Sequence, residues 1–429
     1  MANNKNYTFG GDFKSHRVLI EGSDLSTIVS EIEIYQDITT PFWTASVSFF
    51  DTQNRLMQDA IIQGSKVTIQ IEDSTNKQTF KFMVYEISDR EMIGQQKYVY
   101  RIKCIDEAFF KDQKQRINKH YDDKKASDIF KEVINKIGGS GKVDETKDKF
   151  SIIVPNLSPM ATAEWLATWA TKKVQEFTGL TDDYGLEYTR EGANAEQADY
   201  IVFQQDHGKW SFRPLEKMFI DKSGKLPNLV QRPANLKEDE AGEKEPEDFK
   251  YSMQGYRFIS HFNAITNSIS GGFGSTAIVH DIKNKNAKLH TYTYSQDNKK
   301  DYSKKPFTNI DGMSKTNIVY QPYLDYSIES GKDTISTKYY KWRGSRRSNL
   351  LKLDTNRLIV SIAGRIDIYD QLGKMVTVDL PKNNDEDDGK YYDTHYKFAW
   401  VILAMRHVWT QKSFMTYIEL GKKRLDKSI

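Results

Sequence analysis

Hydrophobic and polar residues alternate over short runs through the first quarter of the chain, and the alternation predicts strands. From Ser15 to Asp106 the runs are HRVLIEG, IVSEIEIYQ, WTASVSFFD, KVTIQIED, FKFMVYEIS and KYVYRIKCID. They are rich in β-branched and aromatic residues and are ended by Gly, Asp, Asn or Ser, so a small antiparallel barrel or sandwich is expected. Pro41 closes the turn Asp37-Ile38-Thr39-Thr40-Pro41, where it cannot donate to a ladder. The period then changes. Ala126, Ile129, Phe130, Val133, Ile134 and Ile137 fall at three- and four-residue steps before Gly138-Gly139, which predicts an amphipathic helix over 124–137. A second helix is expected from Ser158-Pro159, a capping residue followed by a proline suited to the first helical position, and it runs past Trp165 and Trp169. Tyr200–Phe203 and Trp210–Phe212, either side of Asp206-His207-Gly208, read as a hairpin. From Asn349 onward the pattern is strand-like again.

The last strands echo the first. Phe80–Ile102 (FKFMVYEISDREMIGQQKYVYRI) lies 316 positions before Tyr396–Ile418 (YKFAWVILAMRHVWTQKSFMTYI), with Lys81/Lys397, Phe82/Phe398, Arg90/Arg406, Gln95/Gln411 and Ile102/Ile418 identical. Phe80/Tyr396, Ile87/Leu403 and Tyr98/Phe414 are similar pairs. Upstream, Gly64–Ile69 resembles Gly373–Val378 at an offset of 309, so the second copy has gained seven residues in the loop that follows, at the acidic Asn383–Gly389. A module present twice in one chain decides architecture before any chemistry is considered.

The expected fold is therefore mainly β with an α+β insertion: two similar small tube-like β-barrels and a central α+β region. Residues 1–112 form the first barrel, 113–235 the α+β domain of two helices and a hairpin, 236–348 a mobile acidic loop with β-rich re-entry and connecting segment, and 349–429 the second barrel. A length of 429 residues is ample for several cores. At 12% aromatic the chain is not a disordered one, although its mean hydropathy is −0.67. Sixty-two basic against 59 acidic residues leave no global charge to attract nucleic acid or membrane. Cys104 stands alone, which excludes an internal disulfide and fits a reducing cytoplasm. The N-terminus has no signal-peptide core and no window approaches a membrane span, so a soluble protein is expected. Lys237–Lys250 (KEDEAGEKEPEDFK) reads as a solvated linker.

Candidate chemistry is sparse. The histidines, His16, His120, His207, His261, His280, His290, His395 and His407, show no HxH or HExxH spacing, so no metal site is expected. Gly271-Gly272-Phe273-Gly274-Ser275 lacks the lysine ending of a phosphate loop and reads as a turn or close-approach cluster. There is no nucleophile elbow, and Cys104 has no basic companion. No catalytic or cofactor-binding residue is assigned. Tyr339–Arg347 mixes aromatics with cations, and Trp342, Arg343, Arg346 and Arg347 are the candidates for an interface or for lining a channel.

The order of parts resembles the baseplate hub proteins of contractile-tailed bacteriophages. The resemblance is carried by Leu157–Lys173 with Tyr200–Met218, by Ile265–Ser295 with its GGFGS before a β-rich run that would re-enter the second barrel, and by Leu372–Lys422 with Arg406-His407. Insertions at 174–199 and 237–250 depart from it. It implies a homotrimer whose two barrels per protomer make a ring of six, facing the hexameric tail tube or a tube initiator on one side and holding the tail spike protein on the other. It further implies DNA only in transit through a channel, a neighbouring tape-measure protein, no stable membrane association, no enzymatic activity, and a place in the virion baseplate after assembly in the host cytoplasm. The alternatives are the hub of another contractile injection system, such as a type VI secretion spike, and a tail-associated cell-wall hydrolase.

Overall fold

The computed structural model describes residues 14–73, 76–95, 97–147, 149–173, 196–197, 199–219, 221, 223–224, 226, 228–231, 252–260, 263–281, 285–293, 318–322, 343–344, 346–351, 353, 356–382, 392–393, 396 and 400–422. The acidic stretches 237–250 and 383–389 lie outside them, as do Trp342 and the Lys397 and Phe398 of the repeat.

All six early runs form strands. They are β1 (Ser15–Ile20), β3 (Val29–Asp37), β4 (Thr44–Asp51), β5 (Lys66–Glu72), β6 (Lys77–Gly94) and β7 (Lys97–Asp106), with a two-residue β2 (Ser23–Asp24) beside β1 and a short α1 (Arg55–Gln58). Period-2 burial puts Val18, Ile34, Val47, Phe49, Val67, Ile69, Tyr100 and Ile102 on one face, where they form the first core. Cys104 belongs to that core, and burial pushes its thiol up. β6 runs well past its apolar stretch into SDREMIG, a polar end that the alternation did not predict as strand.

The α+β region follows: α2 (Glu107–Gln113), β8 (His120–Lys125), α3 (Ala126–Lys136), β9 (Ser140–Val143), β10 (Lys149–Ile153), α4 (Pro159–Trp169), β11 (Lys172–Lys173), β12 (Glu196–Gln197), β13 (Tyr200–Asp206), β14 (Lys209–Pro214) and α5 (Leu215–Met218). Both expected helices are present, and Ser158 Oγ accepts from Ala161 N at 3.2 Å as a cap should. The β13–β14 hairpin turns at His207-Gly208, with β9 added in parallel to β14. Their apolar faces close a second core with α3 and α4, centred on Phe130, Leu166, Trp210 and Phe212.

The rest of the chain holds β15 (Leu229–Val230), β16 (Met253–Ser260), α6 (Ala264–Ile269), β17 (Gly274–Asp281), β18 (Asn286–Thr293), β19 (Ile318–Pro322), β20 (Asn356–Ala363), β21 (Met375–Val376), β22 (Val378–Asp379), β23 (Trp400–Thr410) and β24 (Phe414–Lys422). The glycine-rich GGFGS ends α6 and opens β17. Gly272 packs so closely that a Cβ would stand 3.0 Å from Leu351 and 3.1 Å from the Asn267 carbonyl. The re-entry expected from this segment is made elsewhere. β17 pairs with β18 and β19 in a sheet of their own, while β16 is the strand that joins β20.

Strand order carries the duplication. The large sheet, mainly antiparallel strands, reads β16-β20-β24-β23-β3-β4-β7-β6-β5-β1-β2, with β21 against β23. Its first four strands repeat as the next four, β21 lies on β23 as β5 lies on β6, and the two sets meet where β23 pairs with β3. The register repeats too: Val47 faces Ile102 as Val360 faces Ile418, and Phe49 faces Tyr100 as Ile362 faces Thr416. Along the hairpin's first strand the constant offset fails. Ile102 faces Ile87, yet Ile418 faces Met405 rather than Leu403, because bulges at Ser88/Glu91 and Met92/Gly94 in β6 have no counterpart in β23. Arg90 and Arg406 are therefore not equivalent positions.

Among the described strands neither of the two expected barrels closes. The described strands make one open sheet, since the edge β3 would need to close on its own module is taken by β23 of the other copy. The upstream glycines behave alike, with φ +87° at Gly64 and +73° at Gly373, both in the left-handed region. Their surroundings differ: the space at Gly64 holds only Met83 Cε at 4.0 Å, whereas a Cβ on Gly373 would meet Phe203 Cζ at 2.6 Å. Gly64→Ala is expected to cost about 1 kcal/mol, and Gly373→Ala about 2–4 kcal/mol once a core ring must move. Urea melts of the two variants compare them directly.

Candidate functional site

Joining the two copies is a task that falls on particular side chains. Along the β23–β3 seam Ala404 faces Asp37, Arg406 faces Tyr35, Val408 faces Glu33 and Thr410 faces Glu31. Successive residues of a strand point to opposite faces, so Arg406 and His407 do different work. Arg406 is on the outer face, where its guanidinium pairs with Glu33 and lies over the rings of Tyr35 and Tyr417 at 5.7 and 5.8 Å. The Tyr35 hydroxyl also donates to Glu33, and burial together with that carboxylate pushes Tyr35 up to about 12.

His407 points inward. It is fully buried, its Nδ1 lies 3.0 Å from Thr416 Oγ1, and its ring packs 4.1 Å from that of Tyr369. Trp409 follows two residues on and stacks on Phe414 at 4.3 Å with 15° between planes. These rings belong to the first copy's core, in which Tyr369, Trp409, Phe414 and Ile366 of the second copy pack among Trp43, Phe80 and Phe82. One core is thus shared across the seam.

Burial holds His407 down to about 3, so it stays neutral at ordinary pH. Its unfolded value is about 6.5. The contribution to stability is intact above that value and is lost as pH falls from there toward 3, because only the unfolded chain takes up the proton. The loss at pH 5 is about 2 kcal/mol relative to pH 7. We expect His407→Phe, which keeps an aromatic ring at the site, to flatten the dependence of the urea midpoint between pH 7 and pH 5.

The α+β region is fastened to the sheet at two places. At the first, Trp43 N and Nε1 donate to Gln204 Oε1 and O at 2.9 and 2.8 Å, and Gln204 Nε2 donates to Asp106 Oδ2 at 2.7 Å. Asp106 also caps α2 through Ala108 N, and the hairpin turn reaches the first copy where Lys81 N donates to His207 Nε2 at 3.0 Å. At the second, the buried Arg213 of β14 bridges Asp144 at 3.1 Å and Asp221 at 2.6 Å. Lys217 pairs with Asp144, and Lys374, from the turn before β21, lies 3.4 Å from Asp221. Burial alone would raise the Asp221 carboxyl, but hydrogen bonds from Ser223 and Arg213 and the charge of Arg213 hold it well below the usual carboxylate range. Burial depresses Lys374 against the pull of Asp221.

The arginines singled out in the sequence sit together on a helical stretch between 343 and 353. Arg346 Nη1 donates to Tyr200 O at 2.5 Å, Ser348 Oγ to Gly272 O at 2.7 Å, and a Cβ on Gly344 would fall 2.4 Å from the Tyr292 ring. Burial and the neighbouring Arg343 lower Arg347. This stretch ties β13 to the β17–β18 sheet. Among the described residues no cluster of His, Cys, Asp and Glu is arranged to hold a metal, and no helix is long and apolar enough to cross a membrane.

No protein-family model and no curated protein matches the sequence. Solved structures do. The 43 kDa tail protein of prophage MuSo2 from Shewanella oneidensis superposes with a TM-score of 0.54 over 96% of this chain and 99% of that one, at 11% identity. The tail protein from Neisseria meningitidis MC58 gives 0.54 over 95% and 97%, at 9% identity. The chain has the fold of these two tail proteins. A type VI secretion component from E. coli superposes at only 0.44, with 8% identity, covering 96% of this chain and 79% of its own. The residues that sequence reasoning missed, Glu33, Asp106, Asp144 and Gln204, are buried polar groups at the joints of this fold. Their signal was faint: a polar residue inside an otherwise apolar run, as in EIEIYQ.

Proposed function

We propose that the chain is a structural hub component of a contractile phage tail, a homotrimer whose two copies of the β-module present six similar units around a channel for DNA. The observation that carries this reading is the repeated strand order, with the two sets joined edge to edge in one sheet. A threefold assembly of such protomers offers a sixfold face to a hexameric tail tube and a threefold body to a central spike. Closed rings of this kind use heterologous contacts repeated by rotation. The fold shared with the two tail proteins supports the assignment, as does the core shared between the two copies of the module. In this reading the protein resides in the virion baseplate, beside tube, spike and tape-measure proteins. The arginines at 343, 346 and 347, partly turned into the protein, act as a strut and not as a DNA-facing ring.

Mass photometry of the purified protein tests the stoichiometry. The expected particle has three times the 49.7 kDa chain mass. A monomer or dimer at micromolar concentration would remove the ring.

A further inference from the structure

Strand β6 is only half used. Lys77–Met83 pairs with β5 and Phe82–Gly94 with β7, so from Glu86 to Gly94 one side of the strand has no partner among the described strands. The matching stretch of the second copy, Ala404–Thr410, is where β23 pairs with β3. At the other end of the sheet β16 is the outermost of the described strands and occupies the place that β3 occupies in the first copy: Tyr256 faces Val360 as Ile32 faces Val47. The protomer therefore carries both halves of its own seam at opposite edges of one sheet.

We propose that β6 of one copy pairs antiparallel with β16 of a second copy, repeating between molecules the β23–β3 seam within each; only the closure into three rests on the ring reading above. The seam's register carries over. Met92 corresponds to Trp409, since they face Tyr98 and Phe414, and Glu91 corresponds to Val408, since they face Val99 and Met415. Trp409 faces Ile32 and Val408 faces Glu33 in the seam, so Met92 comes to lie opposite Tyr256, and Glu91 opposite Arg257.

The chemistry of the two edges fits that register. Met92 is 66% exposed, Ile93 53%, Tyr256 39% and Ile259 44%, a set of apolar side chains on strands whose backbone groups invite pairing. Glu91 and Arg257 are exposed and neither has an ion-pair partner among the described residues. Polarity is reversed relative to the seam. Inside the protomer the hairpin strand brings the base, Arg406, and its neighbour the acid, Glu33; between copies the hairpin strand brings the acid, Glu91, and its neighbour the base, Arg257. A wrong pairing of β6 with a β3 edge sets Glu91 against Glu33, and a wrong pairing of β23 with β16 brings Arg406 toward Arg257. Like charges across strands disfavour both, so the reversal selects between the two seams.

Cysteine pairing tests the register. Directly opposed residues of an antiparallel pair have Cα atoms about 4.5–5.5 Å apart, within reach of a disulfide, and the native Cys104 is buried and does not compete. We expect Met92→Cys mixed with Tyr256→Cys to give a covalent two-chain product under mild oxidation, Met92→Cys alone to give none, and the doubly substituted chain to give a closed three-chain product. Glu91→Arg or Arg257→Glu in the cysteine background should each lower the yield about tenfold, and the two together should restore it. A wild-type protein that assembles as three chains while the cysteine pair stays unlinked overturns the pairing but leaves the ring reading. Covalent products running beyond three chains uphold the pairing and overturn the threefold closure. Unlinked cysteines in a monomeric protein overturn the pairing.

Discussion

Arg213→Ala is expected to lower stability by about 3–5 kcal/mol, because removing one member of a buried ionic network leaves its partners desolvated and uncompensated. Arg213 is fully buried and serves Asp144 and Asp221 together, with 0% of its side chain exposed against 8% and 10% for the two acids. Lys217 and Lys374 stay in place but cannot replace a guanidinium that addresses both carboxylates from one planar group. Arg213→Lys should therefore recover only part of the loss. The acid side supplies a second readout. Asp221 is held below its unfolded value of about 3.9, so its contribution is complete above that pH and is lost as pH falls through the depressed folded value. Without Arg213 the folded value rises toward the unfolded one, so this acid-side loss shrinks. Urea midpoints at about pH 7 and about pH 3 report both effects. A variant that matches wild type at both values would show that the α+β region is held on the sheet by other contacts.

Trp409→Ala is expected to cost about 3–5 kcal/mol, the range for emptying a buried aromatic site. Its distribution matters more than its size. Trp409 lies on the second copy, is 2% exposed, stacks on Phe414 and faces Ile32 across the seam, yet it packs within the core built mostly by the first copy. Hydrogen exchange should then show protection falling in both hairpins, β6–β7 and β23–β24. Phe130→Ala, in the separate α+β core, should affect α3 and the β13–β14 hairpin and leave the seam protected. If Trp409→Ala loosened the second copy alone, the two modules would be independent folding units that merely touch.

These two sites show what the sequence could and could not reveal. The six early strands, the helix ending at Gly138 and the cap at Ser158 were legible because each is a local pattern: alternation, a 3.6-residue period, a hydroxyl before proline. The polar end of β6 was not, since an edge strand exposed on one side loses the alternation that marks a buried one. β16 was missed for a related reason, as MQGYRFIS owes its strand to pairing with β20, a hundred residues away. The repeat was visible, but its gapless offset hid the β6 bulges, which only the pairing of Ile87 and Met405 exposes. Of the candidate site, the Arg406-His407 pair was noticed as a motif, while its division of labour needed to know which face the core occupies. Arg343, Arg346 and Arg347 were found as a cluster. That Arg346 is committed to the Tyr200 carbonyl depends on a contact no local pattern encodes.

In the proposed ring, one chain supplies two equivalent sheet units. Cryo-electron microscopy of the purified assembly, viewed down its axis without imposed symmetry, measures this directly. Threefold symmetry overall is expected, with six similar β-lobes around an open channel and alternate lobes differing where the second copy carries the longer 383–389 loop. A particle with three lobes, with true sixfold symmetry, or with no channel would contradict it.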